Sequence, residues 1–535
     1  MSAAQSQPTR AELLRNLAQA PARDLVIIGG GATGLGVAVD AAARGLSVAL
    51  VEAEDFAKGT SSRATKLVHG GVRYLAQGNL KLVREALRER AILLRNAPHL
   101  AQPVPFLLPL FGAKGRWFDQ WFYGTGLLLY DLLAGKERQG RTEFLGAAQA
   151  LRLAQGLRVE GLAGAVRYWD GQFDDARLAL ALARTAIARG ATVLNHCSAT
   201  GFAHEGGHIA GVEVEDRETG QRFALRTRCV INAAGVWVDA VRRMDGAPRG
   251  DLVAPSQGVH LVVDRDFLPG NHALLVPKTR DGRVLFAVPW LGKTILGTTD
   301  TPRQDLAVEP EPFAEEVDFI LNEAARILAR APARADVRSV WVGLRPLVKP
   351  PDADRGDTKS LSREHVVLVG RSGLVTVTGG KWTTYRAMAE DVLAHCMAGG
   401  LLPSRPAGAT ATLALVGAPA SATHPLSDAP GAHLYGTEAA RVAALPGAER
   451  ELGPGFTEAM VRFAARHEYA RSVEDVLARR SRLLFLDARL AASAADRVAA
   501  VLAEELGDAF DAGKSLRDFA RLAAQYSRLP AQTAH

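Results

Sequence analysis

The chain has 535 residues, 48% hydrophobic and 23% charged, with a net charge of +7. This composition belongs to a globular protein rather than a disordered or fibrous one, and the length predicts two or three domains. Cys197, Cys229 and Cys396 lie far apart with no CxxC spacing, which excludes a disulfide framework and a cysteine zinc site and fits a reducing compartment.

No metal is expected. The first 23 residues carry Arg10, Glu12, Arg15 and Arg23 without an apolar core, and no long apolar run occurs elsewhere. Neither a secretory signal nor a membrane-spanning helix is therefore expected. The basic balance suits nucleic acid, an anionic membrane or an anionic substrate without choosing among them.

In chain order, the first strong pattern is "DLVIIGGGATGLG", from Asp24. Its continuous apolar run predicts a parallel strand buried on both faces. Gly29, Gly31 and Gly34 complete G-x-G-x-x-G, a small-residue helix follows, and a second strand, "SVALVE", ends at Glu52. Such glycines let the backbone approach a pyrophosphate, and an acidic group at that distance can bind ribose hydroxyls.

The polar loop "GTSSRATKLVHGGVRYL" (59–75) comes next, where a nicotinamide enzyme would continue into further βα units. A loop of hydroxyls, cations and glycines fits a flavin instead. "KLVREALRERAILLR" (81–95) predicts a helix with Lys81, Arg84, Arg88 and Arg95 on one face and an apolar face opposite, interrupted by Arg90. It suits either an anionic membrane or packing on the core, with Arg90 as a buried ion-pair partner. "WFDQWFYGTGLLLYDLLA" (117–134), with Gly124 and Gly126, is a second candidate for membrane contact.

"CVINAAGVWVDAV" (229–241) predicts a strand, a glycine turn at Ala234 and Gly235, and a helix. Residues 273–301 read as antiparallel strands with a "DG" turn. "VTVTGGKWTTYRAM" (375–388) predicts a strand, a break at Gly379 and Gly380, and a helix whose start presents Lys381, Thr383 and Thr384. Helix starts favour anions or polar rings. Residues 403–425 read as a linker with one strand, and "AASAADRVAAVLAEEL" as an amphipathic helix.

These motifs, together with "QFDDARLAL", "SQGVHLVV", "LGTTDT" and "GLRPL", resemble in order the FAD-dependent glycerol-3-phosphate dehydrogenases of the D-amino-acid-oxidase-like flavoprotein group. The resemblance covers roughly 24–395 and continues more loosely through 467–487. It implies an α/β fold: a Rossmann-like FAD-binding domain (24–92, 166–253 and 350–402), an antiparallel-sheet substrate domain (93–165 and 254–349) and a C-terminal α-helical domain (426–530).

It also implies oxidation of sn-glycerol 3-phosphate to dihydroxyacetone phosphate, with electrons passed to membrane quinone. The cofactor FAD would contact Thr60, Ser61, Ser62, Lys66, Leu67, His69, Gly71, Ala234, Gly235, Gly380, Thr383 and Thr384, besides Gly29, Gly31, Gly34 and Glu52. His260, Arg345 and Lys381 take catalytic positions, and Arg73, Tyr74, Thr298 and Arg363 bind substrate. Several arginines suit a phosphate dianion, since a guanidinium can hold two oxygens at once. His260 and His69 are both candidates for the group that takes the hydroxyl proton.

The family implies a cytoplasmic protein held peripherally on the inner face of the membrane and allows a homodimer. Two rivals share the fold: an oxygen-using glycerol-3-phosphate oxidase, and an amine or amino-acid oxidase. Nucleic acid is not expected as a partner, because no aromatic–basic interleaving occurs.

Overall fold

The protein is described from a computed structural model, covering residues 8–19, 21–71, 79–112, 120–246, 250–280, 282–349 and 364–532. Two large sheets organise it. In the first, the strand order is Val366–Val369, Leu374–Thr378, Arg222–Asn232, Arg23–Ile28, Val48–Val51 and Thr192–Leu194. All neighbours pair in parallel except the first two, which are antiparallel. The helices Ala32–Ala43, Asp175–Ala188 and Tyr385–Ala398 share its apolar core. Leu25, Val26 and Ile27 are fully buried, as a strand covered on both faces requires.

The second sheet is built around Val253–Asp264, which pairs antiparallel with Lys293–Gly297 and Ser339–Val348. Ala273–Val276 and Leu285–Trp290 extend it, as the alternation in 273–301 predicts, with the central Asp281 of that turn outside the described residues. Leu162–Phe173 crosses the expected boundary at 166 and pairs within this second sheet, to Ala101–Phe111 and to Leu67–Val68. The carboxy-terminal region is helical, with Glu458–His467, Ala488–Leu506 and Ala512–Ser527 around one core.

Residues 403–425 contain the 3-10 turn Ala409–Thr412 and no strand. In place of the expected strand, the Leu415 backbone N–H donates to the carbonyl of Asn96 at 2.9 Å, at the end of a helix rather than on a sheet edge. The helix Leu80–Asn96 turns its apolar face into the protein, burying Val83, Leu87 and Leu93. Its apolar side is therefore unavailable to a lipid surface. Arg90 is buried in an ion pair with Asp170 at 2.8 Å, the outcome its position on the apolar face favours. Gln120–Ala134 is an unbroken helix despite Gly124 and Gly126, and it exposes Leu128, Leu129 and Leu132, the last at 75%. No described helix is long and apolar enough to cross a membrane.

Candidate active site

Four adjacent parallel strands deliver their carboxyl ends to one edge of the first sheet, the edge where ligands bind in open α/β folds. Ile28 leads to the glycine motif, Val51 to Glu52, Asn232 to Ala233–Gly235, and Thr378 to Gly379–Gly380. A cavity of about 580 Å³ opens there and continues under the second sheet. Its lining includes Gly29, Gly31, Glu52, Thr60, Ser61, Leu67, His69, Ala234, Gly235, Gly380, Lys381 and Thr383, and further along His260, Thr298 and Arg345. Segments separated by hundreds of residues thus share one wall.

The glycines do different work. Gly29 has φ +114°, and a Cβ there would lie 2.6 Å from the Ala233 carbonyl oxygen. Gly34 does not line the cavity: a side chain at that position would collide with the Gly29 carbonyl, so it serves close helix–strand packing. Glu52 accepts from the backbone N–H groups of Gly30 (2.6 Å) and Glu54 (2.8 Å). Burial raises its pKa against the pull of those bonds.

Side chains knit the walls together. The Trp382 indole N–H donates to the Ser61 carbonyl at 2.8 Å, and the His69 backbone N–H donates to Thr383 Oγ1 at 3.2 Å. Ser61 Oγ accepts from the Ala32 N–H at 2.9 Å, at the start of the helix that follows the glycines. Thr60 Oγ1 donates to the Leu344 carbonyl at 2.5 Å, joining the loop to the second sheet.

On that sheet, side chains facing the cavity recur every second residue. Register pairs Ser256 with Arg345, Gly258 with Gly343 and His260 with Trp341. The two glycines let neighbouring groups close in beside the imidazole and the guanidinium. A Cβ on Gly258 would lie 2.6 Å from Thr298 Oγ1, and one on Gly343 would lie 2.7 Å from the Arg63 carbonyl.

Arg345 donates to the Gln257 carbonyl (3.2 Å), Thr298 Oγ1 (3.2 Å) and the Thr299 carbonyl (3.0 Å), which fix its planar fork. His260 is 2% exposed, stacks on Trp341 with centroids 4.1 Å apart, and shares a hydrogen bond between Nε2 and Thr65 Oγ1 at 2.9 Å. Burial first, then the positive charges of Arg345 and Lys66, hold its pKa well below 6.5. The ring is neutral at pH 7 and able to take a proton.

Several expected positions stand elsewhere. Lys66 does not reach the cavity; it is fully buried, bonded to Asp175 (2.7 and 2.9 Å) and to the Ser62 carbonyl (2.7 Å). A buried ammonium needs a carboxylate, and Asp175 lies behind the loop rather than in the cavity. Ser62 is likewise buried off the cavity, its carbonyl occupied by Lys66. Thr384 turns back to the Lys381 carbonyl at 3.3 Å, and Gly71 is outside the lining. Arg73, Tyr74 and Arg363 fall outside the described residues.

Thr65, Arg63, Trp237 and Phe286 line the cavity without having been singled out from the sequence. Thr65 and Arg63 sit inside "SSRATK", so the loop was visible while the inward-facing members of its irregular backbone were not.

The chain matches the model of the FAD dependent oxidoreductase family over residues 24–386, and that of the C-terminal domain of alpha-glycerophosphate oxidase over residues 408–510. It is 42% identical over 526 residues to the mitochondrial glycerol-3-phosphate dehydrogenase SDP6 of Arabidopsis thaliana, covering 90% of this chain and 82% of that protein. The mitochondrial glycerol-3-phosphate dehydrogenase of Homo sapiens is 39% identical, with 93% and 72% covered. The chain belongs to this FAD-dependent dehydrogenase family.

The crystal structure of the glycerol-3-phosphate dehydrogenase from Bacillus halodurans, complexed with FAD, superposes with a TM-score of 0.77 at 30% identity, covering 99% of this chain and 100% of that one. The α/β architecture with its helical carboxy-terminal domain is thus the family's. The residues present fit the family's FAD. The glycine turn at Gly29 admits no side chain, Glu52 lines the dinucleotide end, and the cavity runs without interruption to His260 and Arg345.

Proposed function

We propose that this protein oxidises sn-glycerol 3-phosphate to dihydroxyacetone phosphate and passes the electrons to a membrane quinone. The observation that carries the reading is the row His260–Gly258–Arg345. It places a neutral base and an oriented guanidinium along one wall of the cavity that fits FAD, with Gly258 between them. FAD, when bound, supplies the acceptor for hydride leaving C2 of the substrate.

The chain's own residues do the rest. Arg345 holds a phosphate oxygen through a charge-assisted bond, with Thr298 as its neighbour. His260 takes the C2-hydroxyl proton as the C–H bond breaks and the carbonyl forms, and Thr65 holds the imidazole through its bond to Nε2. Lys381 stands at the cofactor end, where Gly379 and Gly380 turn the chain, and offers positive charge to the polar edge of the ring. Arg73, Tyr74 and Arg363 join the substrate site by family resemblance.

The segments 24–92, 166–253 and 350–402 act as the FAD-binding unit, 93–165 and 254–349 as the substrate unit, and 426–530 as the helical one. Peripheral association with the inner face of the cytoplasmic membrane follows from the quinone; the exposed leucines of Gln120–Ala134 support that contact.

Turnover assays with the purified holoenzyme test the acceptor. Stoichiometric dihydroxyacetone phosphate with reduction of a short-chain quinone, and little peroxide in air, is the expected result. Peroxide equal to product, with the quinone untouched, would make it an oxidase.

A further inference from the structure

A second polar system, unused by the chemistry above, joins the cavity to the carboxy-terminal domain. The loop 55–66 lines the cavity through 57–61 and 63–65. It is gripped from one short segment, 468–482, at three points. Asp55, fully buried, accepts hydrogen bonds from the guanidinium groups of both Arg479 and Arg480. Lys58 donates to Glu474 at 2.9 Å. The Ser62 carbonyl accepts from Arg482 at 2.9 Å, and Arg482 also reaches Asp175, the partner of Lys66, at 3.1 Å.

The grip is itself braced. Arg479 binds Glu474 (2.8 Å) and Asp475 (2.9 Å), while Arg177 of the first domain binds Glu468 at 2.9 Å. The residues Asp475–Arg480 form a π-helix, a rare geometry found frequently at functional sites.

Buried ion pairs are a poor way to add stability, because apolar residues of similar volume would serve as well or better. What they add is a fixed location. Here every pair that crosses to the loop ends on a residue within a few positions of the cavity lining. Asp55, His196 and Asp475 also bring one ligand atom each within 4.8 Å of one another, but Arg479 and Arg480 already supply the positive charge those carboxylates need.

We propose that the segment 468–482 is a positioning element for the cofactor: it holds the loop 55–66 in its FAD-competent shape, so that the carboxy-terminal domain sets how long FAD stays bound. This rests on the cavity being the FAD site.

The test is the rate of FAD release from the holoenzyme, followed by flavin fluorescence, with the visible spectrum of the bound flavin recorded beside it. Three variants are compared with the parent. Glu474→Gln and Arg480→Gln loosen the grip. Glu505→Gln breaks an ion pair with Arg462 (2.8 Å) and Arg466 inside the same domain, away from the loop.

Release is expected to quicken about ten-fold or more in the first two, the scale of one lost charge-assisted contact, with a shifted flavin band. Glu505→Gln should release at the parental rate even if it lowers the melting temperature. Should Arg480→Gln fail to fold, Glu474→Gln decides, since its pair with Lys58 is partly exposed. Parental release from Glu474→Gln, or equal acceleration by Glu505→Gln, overturns the proposal while leaving the FAD site intact. A parent protein that carries no FAD would sink the cavity reading, and the proposal with it.

Discussion

His260 and Arg345 carry different parts of the reaction, and their variants should separate. The imidazole is held neutral by burial and by two nearby cations, so it can serve as a base without first losing a proton. His260→Asn is expected to slow flavin reduction by glycerol 3-phosphate by about 10²–10⁴-fold while leaving bound FAD in place. Stopped-flow reduction measures this. An undiminished rate would move the base to His69, which also lines the cavity. Arg345→Met should instead weaken substrate binding, by about 10–100-fold if it removes one charge-assisted contact of roughly 1.5–3 kcal/mol. A substrate titration of the flavin spectrum would register that loss, and an unaltered dissociation constant would place the phosphate elsewhere. Lys66 shows the limit of reading residues singly: its sequence neighbourhood is that of the cavity loop, but its side chain points to Asp175 behind it.

At the scale of elements, the strand-and-glycine signals were legible because they are local. The strand from Leu25 is continuously apolar, and the strand ends run into Gly29, Glu52, the Ala233–Gly235 turn and Gly379, where the cavity now lies. The close approach at Gly258 and Gly343 in the second sheet was not legible. Gly258 and Gly343 belong to strands more than eighty residues apart, and only their register makes them opposite. Gly258→Ala would push a methyl group toward Thr298 and the Arg345 guanidinium. It should keep FAD and lose glycerol 3-phosphate binding, which equilibrium titration of the holoenzyme would detect; normal affinity would show that Arg345 and Thr298 do not hold the substrate.

The helix Leu80–Asn96 had two legible faces, but amphipathicity does not say what covers the apolar one, and here the protein does. The neighbouring Gln120–Ala134 keeps Leu128, Leu129 and Leu132 outside. Leu128→Glu combined with Leu132→Glu is expected to reduce sedimentation with anionic vesicles and leave dye-linked turnover unchanged. Equal sedimentation would remove this helix as the contact.

Across the whole molecule, charge pairs tie the carboxy-terminal domain to the cofactor loop over more than four hundred residues of chain. No local pattern announces such pairs, and so Asp55, Lys58 and Glu474 drew no notice in the sequence. They give stability a pH signature. Burial would raise the Glu474 pKa, but Lys58 and Arg479 outweigh it and hold the carboxyl below the usual range. Its contribution is therefore present above about pH 4.5 and lost as pH falls through the lowered value.

His196 runs the other way. Burial disfavours its charge, yet Asp475 and Asp55 raise its pKa above 6.5, so its contribution is full below about 6.5 and fades as pH rises through the raised value. The melting temperature should thus decline on both sides of a mildly acidic maximum, and Glu474→Gln should flatten the acid side. A Glu474→Gln profile parallel to the parent would remove that pair from the account.

One measurement reaches the central claim directly: anaerobic titration of the purified yellow protein with glycerol 3-phosphate, following the oxidised-flavin band. Prompt bleaching by glycerol 3-phosphate, but not by glycerol or amino acids, is the predicted result, because only the phosphate ester engages Arg345 while presenting C2 beside His260. An intact band in folded, FAD-loaded protein, or bleaching by an amino acid instead, would contradict it.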